Sequence, residues 1–154
     1  MSLEEIYHFT AHNARLASAG LPQPEEIAFV KSAGYETIIN LLPGYYEGVS
    51  EEETRIRALE IDYVHIPVEW NAPQLSDLER FFAAMQERED KRIFVHCAAN
   101  MRATAFLFLY RTLIAGEDAK APAATMARIW EPNPTWQDFI AEAQARWKNP
   151  SISP

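Results

Sequence analysis

Short apolar runs alternate with amphipathic segments along most of the chain, and this alternation predicts parallel β/α construction. Three runs are predicted strands: Tyr35 to Leu42, Asp62 to Val68 and Ile93 to Val95. The last run is wholly apolar, which is typical of a strand buried on both faces. The predicted fold is therefore α/β, with a central mainly parallel sheet flanked by helices.

Capping signals and apolar periodicity place helices around these strands. Each predicted helix has a sequence signal at one of its ends. The predicted helices are Pro24 to Ser32 stopped by Gly34, Ser50 to about Glu60 capped with Glu53, Ser76 to the charged run at Glu87 capped with Glu79, Ala103 to Ala115 stopped by Gly116, Pro122 to about Trp130, and Thr135 to about Trp147 capped with Asp138.

The chain has 154 residues, which fits one domain, and its 48% apolar content can fill a core on both faces of a sheet. We predict a single domain over residues 1–148 and a disordered tail over residues 149–154. The formal net charge is -8 and the sequence pI is about 5.0. Because so acidic a surface repels polyanions, nucleic acid and anionic membranes are not predicted partners.

No segment approaches the roughly 20 uninterrupted apolar residues of a membrane-spanning helix. The N-terminal segment also lacks the basic-then-apolar order of a signal peptide, so the predicted location is cytoplasmic. Cys97 is the single cysteine and cannot form an internal disulfide. His8 and His12 are four residues apart, but no third ligand at a defined spacing accompanies them, so no metal or cofactor is predicted.

The sequence VHCAANMRATAF joins the last predicted strand to the most apolar helix. In an open parallel sheet, ligands bind beyond the carboxyl ends of strands, which is where Cys97 falls. A helix beginning near Met101 would point free N–H groups and its positive dipole end at the sulfur, favouring a thiolate and a bound anion. Arg102 adds a planar fork of donors for two phosphate or sulfate oxygens, and Thr104 adds a nearby hydroxyl.

A plainer interpretation of the same loop is that its polar residues are structural. Cysteine is among the most buried residue types, so Cys97 could be a small core residue, and His96 could be a core histidine. The conjunction of histidine, cysteine and arginine at a strand-to-helix junction favours the anion site. Because the loop contains no glycine, a position with positive φ is predicted to fall on Asn100.

The chain from Arg15 to Ala115 resembles the protein tyrosine and dual-specificity phosphatase superfamily. It is most similar to the small bacterial phosphatase-like domain that is also found fused to β-lactamase-like hydrolases. The segments that carry the resemblance are SAGLPQPEEI, GYETIINLLP, DYVHIPVEWNAPQ and VHCAANMRAT. The resemblance implies a phosphotyrosine protein phosphatase-like fold and a phosphoric monoester hydrolase.

The resemblance also implies roles for the loop residues. The Cys97 thiolate would attack phosphorus and form a phosphocysteine that water then hydrolyses, while His96 would hold the cysteine from behind. The partner would be a phosphorylated protein or small molecule, or inorganic phosphate or sulfate. The phosphate oxygens would be bound by Ala98, Ala99, Asn100, Met101, Arg102 and Thr104.

The loop differs from the superfamily signature in its length. The usual signature has five residues between cysteine and arginine, whereas this chain has the four residues Ala98 to Met101. Four-residue spacing also occurs in the bacterial subgroup named above and in rhodanese-like sulfurtransferases, where the smaller ring surrounds a persulfide. A sulfurtransferase therefore stays an alternative to the phosphatase.

The general acid of the superfamily is an aspartate on the loop after the preceding strand, and this chain has Trp70 at or beside that position. Glu69 is the candidate acid, or else a solvated charge at a strand end. Asp77 is expected to be a first-turn helix charge. Without a working acid, the chain would favour aryl phosphates or would be a catalytically weak or inactive phosphate-binding module.

Four aromatic residues are candidate walls of a pocket for an aromatic or lipid-like substrate. Single aromatic residues in loops more often serve as packing anchors. The glutamates Glu51 to Glu53 are expected to form a solvated helix face. The four aromatic residues are Tyr45, Tyr46, Trp70 and Trp136.

Overall fold

A five-stranded sheet runs through the computed structural model, which describes residues 2–147. The strand order is β1-β2-β5-β3-β4, with β1 antiparallel to β2 and the other neighbours parallel. Since β5 lies at the centre, the loop that follows it opens at the middle of the carboxyl edge of the sheet. The strands are β1 (Thr10–Ala11), β2 (Leu16–Ala19), β3 (Thr37–Asn40), β4 (Asp62–His65) and β5 (Ile93–His96).

Six α-helices within residues 2–147 cover the two faces of the sheet, and alternate strand residues point to opposite faces. Ile38 and Phe94 face the layer of α1 and α2, whereas Ile39 and Val95 face the layer that contains α3, α4 and α6. Both faces are therefore buried, as the apolar strands predict. The helices are α1 (Pro24–Ser32), α2 (Val49–Ala58), α3 (Leu75–Glu87), α4 (Met101–Leu109), α5 (Lys120–Ala127) and α6 (Pro134–Arg146).

The strand register aligns the carboxyl ends of three neighbouring strands. His96 pairs with Ala19 on one side and with Asn40 on the other. Across the last pairs, the backbone N–H of Leu41 donates to the His96 carbonyl over 2.9 Å, and that of Cys97 donates to the Ala19 carbonyl over 3.4 Å. The loop after β5 is consequently flanked on both sides by backbone.

The predicted α/β fold with a mainly parallel sheet is confirmed, and so are the three predicted strands. The first two strands are shorter than their predicted runs, whereas the third extends one residue further, to His96. Neither β1 nor β2 was predicted from the sequence. The sequence of β2 is Leu-Ala-Ser-Ala, and such small residues have little strand preference of their own. Pairing with β5 and complete burial make this segment a strand, which is a tertiary effect.

Several predicted helix starts were wrong by one or two residues. The helix α2 begins after Gly48, whose φ of 88° makes the turn, so Ser50 lies inside the helix and caps nothing. The helix α3 is capped reciprocally by Gln74 and Asp77 instead of Ser76 and Glu79. Gly48 thus starts α2 through its backbone conformation alone, whereas α3 is capped by side chains outside the serine consensus.

The last two helices also begin at residues other than those predicted. The Asn133 side chain accepts a hydrogen bond from the Trp136 backbone N–H over 3.0 Å, so α6 is capped there and not at Thr135. The helix α5 begins at Lys120, before Pro122. Proline is tolerated throughout a first turn because the N–H it lacks has no helical partner there.

The buried helix predicted from Ala103 to Ala115 is present, but its second half widens. Tyr110–Ile114 forms a π-helical turn, in which the Ala115 N–H donates to the Tyr110 carbonyl over 2.9 Å. Gly116, with a φ of 74°, ends the element as predicted. No periodic pattern of apolar residues distinguishes such a turn from an ordinary α-helix.

None of the helices within residues 2–147 is long and apolar enough to cross a bilayer. The predicted tail over residues 149–154 lies outside the described residues. The single-domain boundary at residue 148 stays a prediction.

Candidate active site

The loop after β5 turns directly into a helix. Cys97 follows the last strand residue, and α4 begins at Met101. Asn100 is the N-cap with a φ of 68°, so the predicted left-handed position is confirmed. Its side-chain amide donates to the His8 carbonyl over 2.8 Å, which anchors the turn to the N-terminal segment.

The N-terminal segment supports the outer side of this loop. The Leu21 N–H donates to the Ala98 carbonyl over 3.0 Å, and His8 Nδ1 lies 3.1 Å from the Ala99 carbonyl oxygen. A Cβ atom at Gly20 would lie 2.6 Å from the Ala98 carbonyl oxygen. Glycine is therefore required at position 20 for the backbone of β2 to approach the loop this closely.

A buried polar network lies behind Cys97. His96 Nδ1 is 3.2 Å from the Cys97 carbonyl oxygen, and His96 Nε2 is 2.5 Å from a Glu52 carboxylate oxygen. The side-chain amide of Asn40 donates to the other Glu52 oxygen over 3.4 Å and to the Tyr63 hydroxyl over 3.1 Å. Burial raises the pKa of Tyr63 to about 12, so its hydroxyl stays protonated.

The two ring nitrogens of His96 face different partners. A carbonyl oxygen can only accept, so the contact with Cys97 assigns a proton to Nδ1. On the other side of the ring, Nε2 faces the Glu52 carboxyl group. His96 is 0% exposed and Glu52 is 3% exposed, so the two groups are each other's polar neighbours in a low-dielectric setting.

On its inner side the loop borders a cavity of about 240 Å³. Cys97 is one of the lining residues and is 1% exposed, so a ligand would reach its sulfur through the cavity. The cavity combines loop backbone, one thiol, one guanidinium and two aromatic rings. Its lining consists of Tyr46, Trp70, Cys97, Ala98, Ala99, Met101 and Arg102.

Arg102 reaches the cavity from the first turn of α4 and is 4% exposed. One terminal nitrogen, Nη2, donates to the Tyr46 hydroxyl over 3.2 Å. The guanidinium carbon lies 5.5 Å from the Trp70 ring centre and 5.7 Å from that of Tyr46, within range of cation–π attraction. Its other nitrogens, Nε and Nη1, have no hydrogen-bond partner among residues 2–147.

The structure brings most of the predicted loop residues to the cavity, but not Thr104. The Thr104 hydroxyl donates to the Asn100 carbonyl over 2.8 Å and accepts from Trp130 Nε1 over 3.1 Å. It therefore secures the first turn of α4 and does not line the cavity. Asn100 likewise turns its side chain towards the N-terminal segment, so only its backbone can serve an anion.

The two candidate carboxylates lie outside the cavity lining. Glu69 is exposed and accepts a hydrogen bond of 2.6 Å from the Tyr45 hydroxyl, which raises the pKa of Tyr45. Asp77 accepts from the Gln74 N–H over 3.1 Å and pairs with Arg80, so the first-turn helix role predicted for it is confirmed. The general-acid role of Glu69 stays a prediction.

Of the four aromatic candidates, Tyr46 and Trp70 form cavity walls. Tyr45 is 72% exposed, and Trp136 is a core residue whose Nε1 donates to the Trp70 carbonyl over 2.9 Å. The solvated face predicted for Glu51 to Glu53 was wrong for Glu52. A usable signal existed, because Glu52 lies three residues after Val49 and four before Ile56, on the buried stripe of α2.

His8 and His12 do not form a pair. His12 Nε2 lies 2.7 Å from the Ser18 hydroxyl, whereas His8 contacts the loop backbone. Burial and the nearby charges of Arg111 and Arg128 lower the pKa of His12 to about 3, so His12 is neutral. Within residues 2–147, no group of three or more His, Cys, Asp or Glu side chains could hold a metal ion.

Three solved structures show what the fold resembles. A DUF442 protein from Shewanella putrefaciens CN-32, a candidate phosphatase, is 32% identical with a TM-score of 0.84, over 94% of this chain and 96% of that chain. The core catalytic domain of the PP-IP phosphatase SIW14 from S. cerevisiae, solved with citrate, is 16% identical with a TM-score of 0.74, over 96% and 89%. TpbA from P. aeruginosa, solved with phosphotyrosine, is 14% identical with a TM-score of 0.63, over 93% and 84%.

The sequence also matches a protein family. The family model covers residues 4–140 and is described as PTP-NADK, a DSP-PTPase phosphatase fused to NAD+ kinase. No curated protein matches the chain at a significant level. The matched span includes the whole loop from Cys97 to Arg102, and the resemblance to the protein tyrosine and dual-specificity phosphatase superfamily is confirmed. The chain belongs to the PTP-NADK family of DSP-PTPase phosphatases.

Proposed function

We propose that this chain is a cysteine-dependent phosphatase that hydrolyses phosphoric monoesters at the loop from Cys97 to Arg102. The observation that carries the proposal is the buried guanidinium of Arg102, whose Nε and Nη1 have no partner among residues 2–147. Leaving charged donors buried and unpaired is costly. A phosphate group in the cavity would accept from both nitrogens and remove that cost.

The backbone of the loop supports the same proposal. The carbonyls of Cys97 and Ala98 are turned to His96 and Leu21, behind the loop. In a trans peptide the C=O and the following N–H point in opposite directions, so the amides of Ala98 and Ala99 are directed away from those contacts. The first N–H groups of α4 also lack helical partners. Together these donors suit the equatorial oxygens of a phosphoryl group.

Cys97 is the nucleophile of the proposed reaction. Cys97 lines the cavity together with Met101 and Arg102 of the first turn of α4, whose free N–H groups and positive dipole end favour an anion. As the S–P bond forms, the bond from phosphorus to the leaving oxygen breaks, and that oxygen takes a proton. Water then attacks the phosphocysteine, which releases inorganic phosphate and restores the thiolate.

Aryl phosphates are the proposed substrate class with the highest turnover. The cavity walls are the rings of Tyr46 and Trp70, which can pack against an aromatic leaving group. TpbA binds phosphotyrosine, which is an aryl phosphate. Phenolic leaving groups also need little protonation, and Glu69, the candidate acid from the resemblance, lies outside the cavity lining in this structure.

A sulfurtransferase is the second candidate, and the loop length favours it. Four residues between Cys97 and Arg102 form a smaller ring than the five of the usual phosphatase signature. A small ring of amides can surround a cysteine persulfide. In that case the sulfur of thiosulfate would be transferred to Cys97 and then to cyanide.

One assay series separates the candidates. Release of p-nitrophenol from p-nitrophenyl phosphate and formation of thiocyanate from thiosulfate and cyanide are measured for wild type, Cys97→Ser and Arg102→Ala. Arg80→Ala is the matched control, since Arg80 is exposed and pairs with Asp77 of its own helix, α3. We expect phosphate ester hydrolysis in wild type and Arg80→Ala, and a loss of at least ~1,000-fold in both loop variants.

If the chain forms thiocyanate in a reaction that requires Cys97 and hydrolyses no ester, it is a sulfurtransferase and not a phosphatase. If it binds inorganic phosphate or tungstate tightly but catalyses neither reaction, it is a phosphate-binding module. Ester hydrolysis that persists in Cys97→Ser would reject the covalent mechanism altogether.

A further inference from the structure

The cavity has few groups that could protonate a leaving oxygen. Of its lining residues, only Cys97 and Tyr46 carry an S–H or O–H proton, and the Cys97 sulfur is needed as the nucleophile. The Arg102 guanidinium keeps its protons at every accessible pH, and the Trp70 indole is not an acid in water. The Tyr46 phenol is therefore the sole acid among the described residues that line the cavity.

The hydrogen bonding of Tyr46 leaves its own proton available. Its hydroxyl oxygen accepts from Arg102 Nη2 over 3.2 Å, so the O–H bond is not used in that contact. The neighbouring Tyr45 differs, because its hydroxyl donates to Glu69 and its side chain is 72% exposed. The two rings stack with centres 5.3 Å apart, yet one hydroxyl reaches the cavity and the other the surface.

We infer that the Tyr46 phenol is the proton donor to the leaving oxygen, an inference that rests on the proposed phosphatase function. Arg102 would hold the transferred phosphoryl group through its free nitrogens and the phenol oxygen through Nη2. The acid and the anion clamp are thereby fixed to each other. The same guanidinium stabilises the phenolate that is left when the proton has gone.

The proton balance closes over the two half-reactions. In the first, the Cys97 sulfur bonds to phosphorus, the bond to the leaving oxygen breaks, and the Tyr46 proton moves to that oxygen. In the second, the Tyr46 phenolate takes a proton from the attacking water, whose oxygen bonds to phosphorus as the S–P bond breaks. The phenol and the thiolate are both restored, and inorganic phosphate leaves.

The chemistry also predicts which substrates depend on Tyr46. A phenol is a stronger acid than an aliphatic alcohol, so proton transfer from Tyr46 to an alkoxide is favourable. The p-nitrophenolate ion is a weak base and leaves without help. Loss of the phenol should therefore lower the turnover rate of alkyl phosphates by a factor of about 100 to 10,000. The turnover rate of p-nitrophenyl phosphate should hardly change.

The test compares Tyr46→Phe with Tyr45→Phe, a matched control at the stacked neighbour. Values of kcat and KM are measured for p-nitrophenyl phosphate, phenyl phosphate and β-glycerophosphate. In Tyr46→Phe we expect kcat for β-glycerophosphate to fall by about 100-fold or more, with less than about fivefold loss for p-nitrophenyl phosphate. Tyr45→Phe should match wild type on all three substrates.

Activity towards p-nitrophenyl phosphate also reports that the variant is folded. If Tyr46 only positioned Arg102, all three substrates would lose rate equally, and the inhibition constant of inorganic phosphate would rise; this result would overturn the inference. A loss confined to alkyl phosphates in Glu69→Gln, with Tyr46→Phe unaffected, would assign the acid to Glu69 instead. Absence of hydrolysis in wild type would reject the proposed function itself, a distinct outcome.

Discussion

The loop after β5 and the loop after β4 border the same cavity but are built in different ways. The β5 loop, Cys97 to Arg102, is held by the His8 side chain, by the Leu21 backbone and by the buried His96–Glu52 pair. The β4 loop contributes the Trp70 ring, and its carboxylate Glu69 lies at the surface against Tyr45. The part that would hold the phosphoryl group is thus rigidly supported, whereas the expected acid is not.

The physical demands on the two loops explain this difference. Stabilising charge on a phosphoryl group requires donors that are already oriented and shielded from water, so their positions must be set by buried contacts. A proton donor needs only to reach one oxygen and can be supplied by any group on the cavity wall. Anion binding and proton delivery can therefore be carried by different parts of this chain.

Among the variants that compare the two loops, the largest effect is expected for Arg102→Lys, which keeps the positive charge at the β5 loop but removes its planar fork. We expect kcat/KM for p-nitrophenyl phosphate to fall by about 100-fold to 1,000-fold, because a lysine ammonium cannot bond two oxygens and Tyr46 in fixed geometry. Steady-state kinetics check this, with Arg80→Lys as control. Retention of activity within threefold would show that the fork is not needed.

The next largest effect is expected on stability, from disruption of the buried polar network behind Cys97. Glu52→Gln removes the buried carboxyl group that contacts His96 and accepts from Asn40, and we expect about 3 kcal/mol lower unfolding free energy because a buried polar network is broken. The neighbouring Glu53→Gln, whose ion pair with Arg57 is exposed, should cost no more than about 0.5 kcal/mol. Urea unfolding of both variants provides the measurement. Equal stabilities would mean that the buried Glu52 contributes no more to stability than the exposed Glu53.

Substitutions at Asn100 test how much the left-handed turn contributes to the stability of the protein. Asn100→Ala forces an alanine to adopt a φ of 68° and removes the bond to His8, so we expect a loss of about 2 kcal/mol. Asn100→Gly also removes the hydrogen bond to His8, but glycine adopts a positive φ without strain. Its loss of stability should therefore be about half that of the alanine variant. Thermal unfolding at neutral pH compares the two. An alanine variant as stable as the glycine variant would indicate that the left-handed turn carries no strain.

The smallest effect is expected on the β4 loop. Glu69→Gln should change kcat less than about threefold for either aryl or alkyl phosphates, because the carboxylate is bonded to Tyr45 away from the cavity. The same substrate series used for Tyr46 measures it. A larger loss for β-glycerophosphate than for p-nitrophenyl phosphate would show that the β4 loop moves inward during turnover and supplies the acid after all.

Prediction from the sequence succeeded where the signal is local. The strand β5, the helix behind the loop and the left-handed position at Asn100 follow from runs of neighbouring residues, whose backbone preferences act over one or two turns. The helix caps were less predictable, because Gly48 and Gln74 serve as N-caps where the consensus pattern favours serine. Several residue types can satisfy the same free N–H groups.

By itself, the sequence determined that this chain is an α/β protein with a cysteine and an arginine at a strand-to-helix junction, since periodicity and turn chemistry are written in neighbouring residues. Only the tertiary structure decided that Glu52 pairs with His96, that Tyr46 meets Arg102 across 56 residues of chain, and that Glu69 turns outward. Those outcomes depend on which elements pack side by side. Buried charges settle wherever the folded chain supplies a partner, and no local pattern specifies that partner.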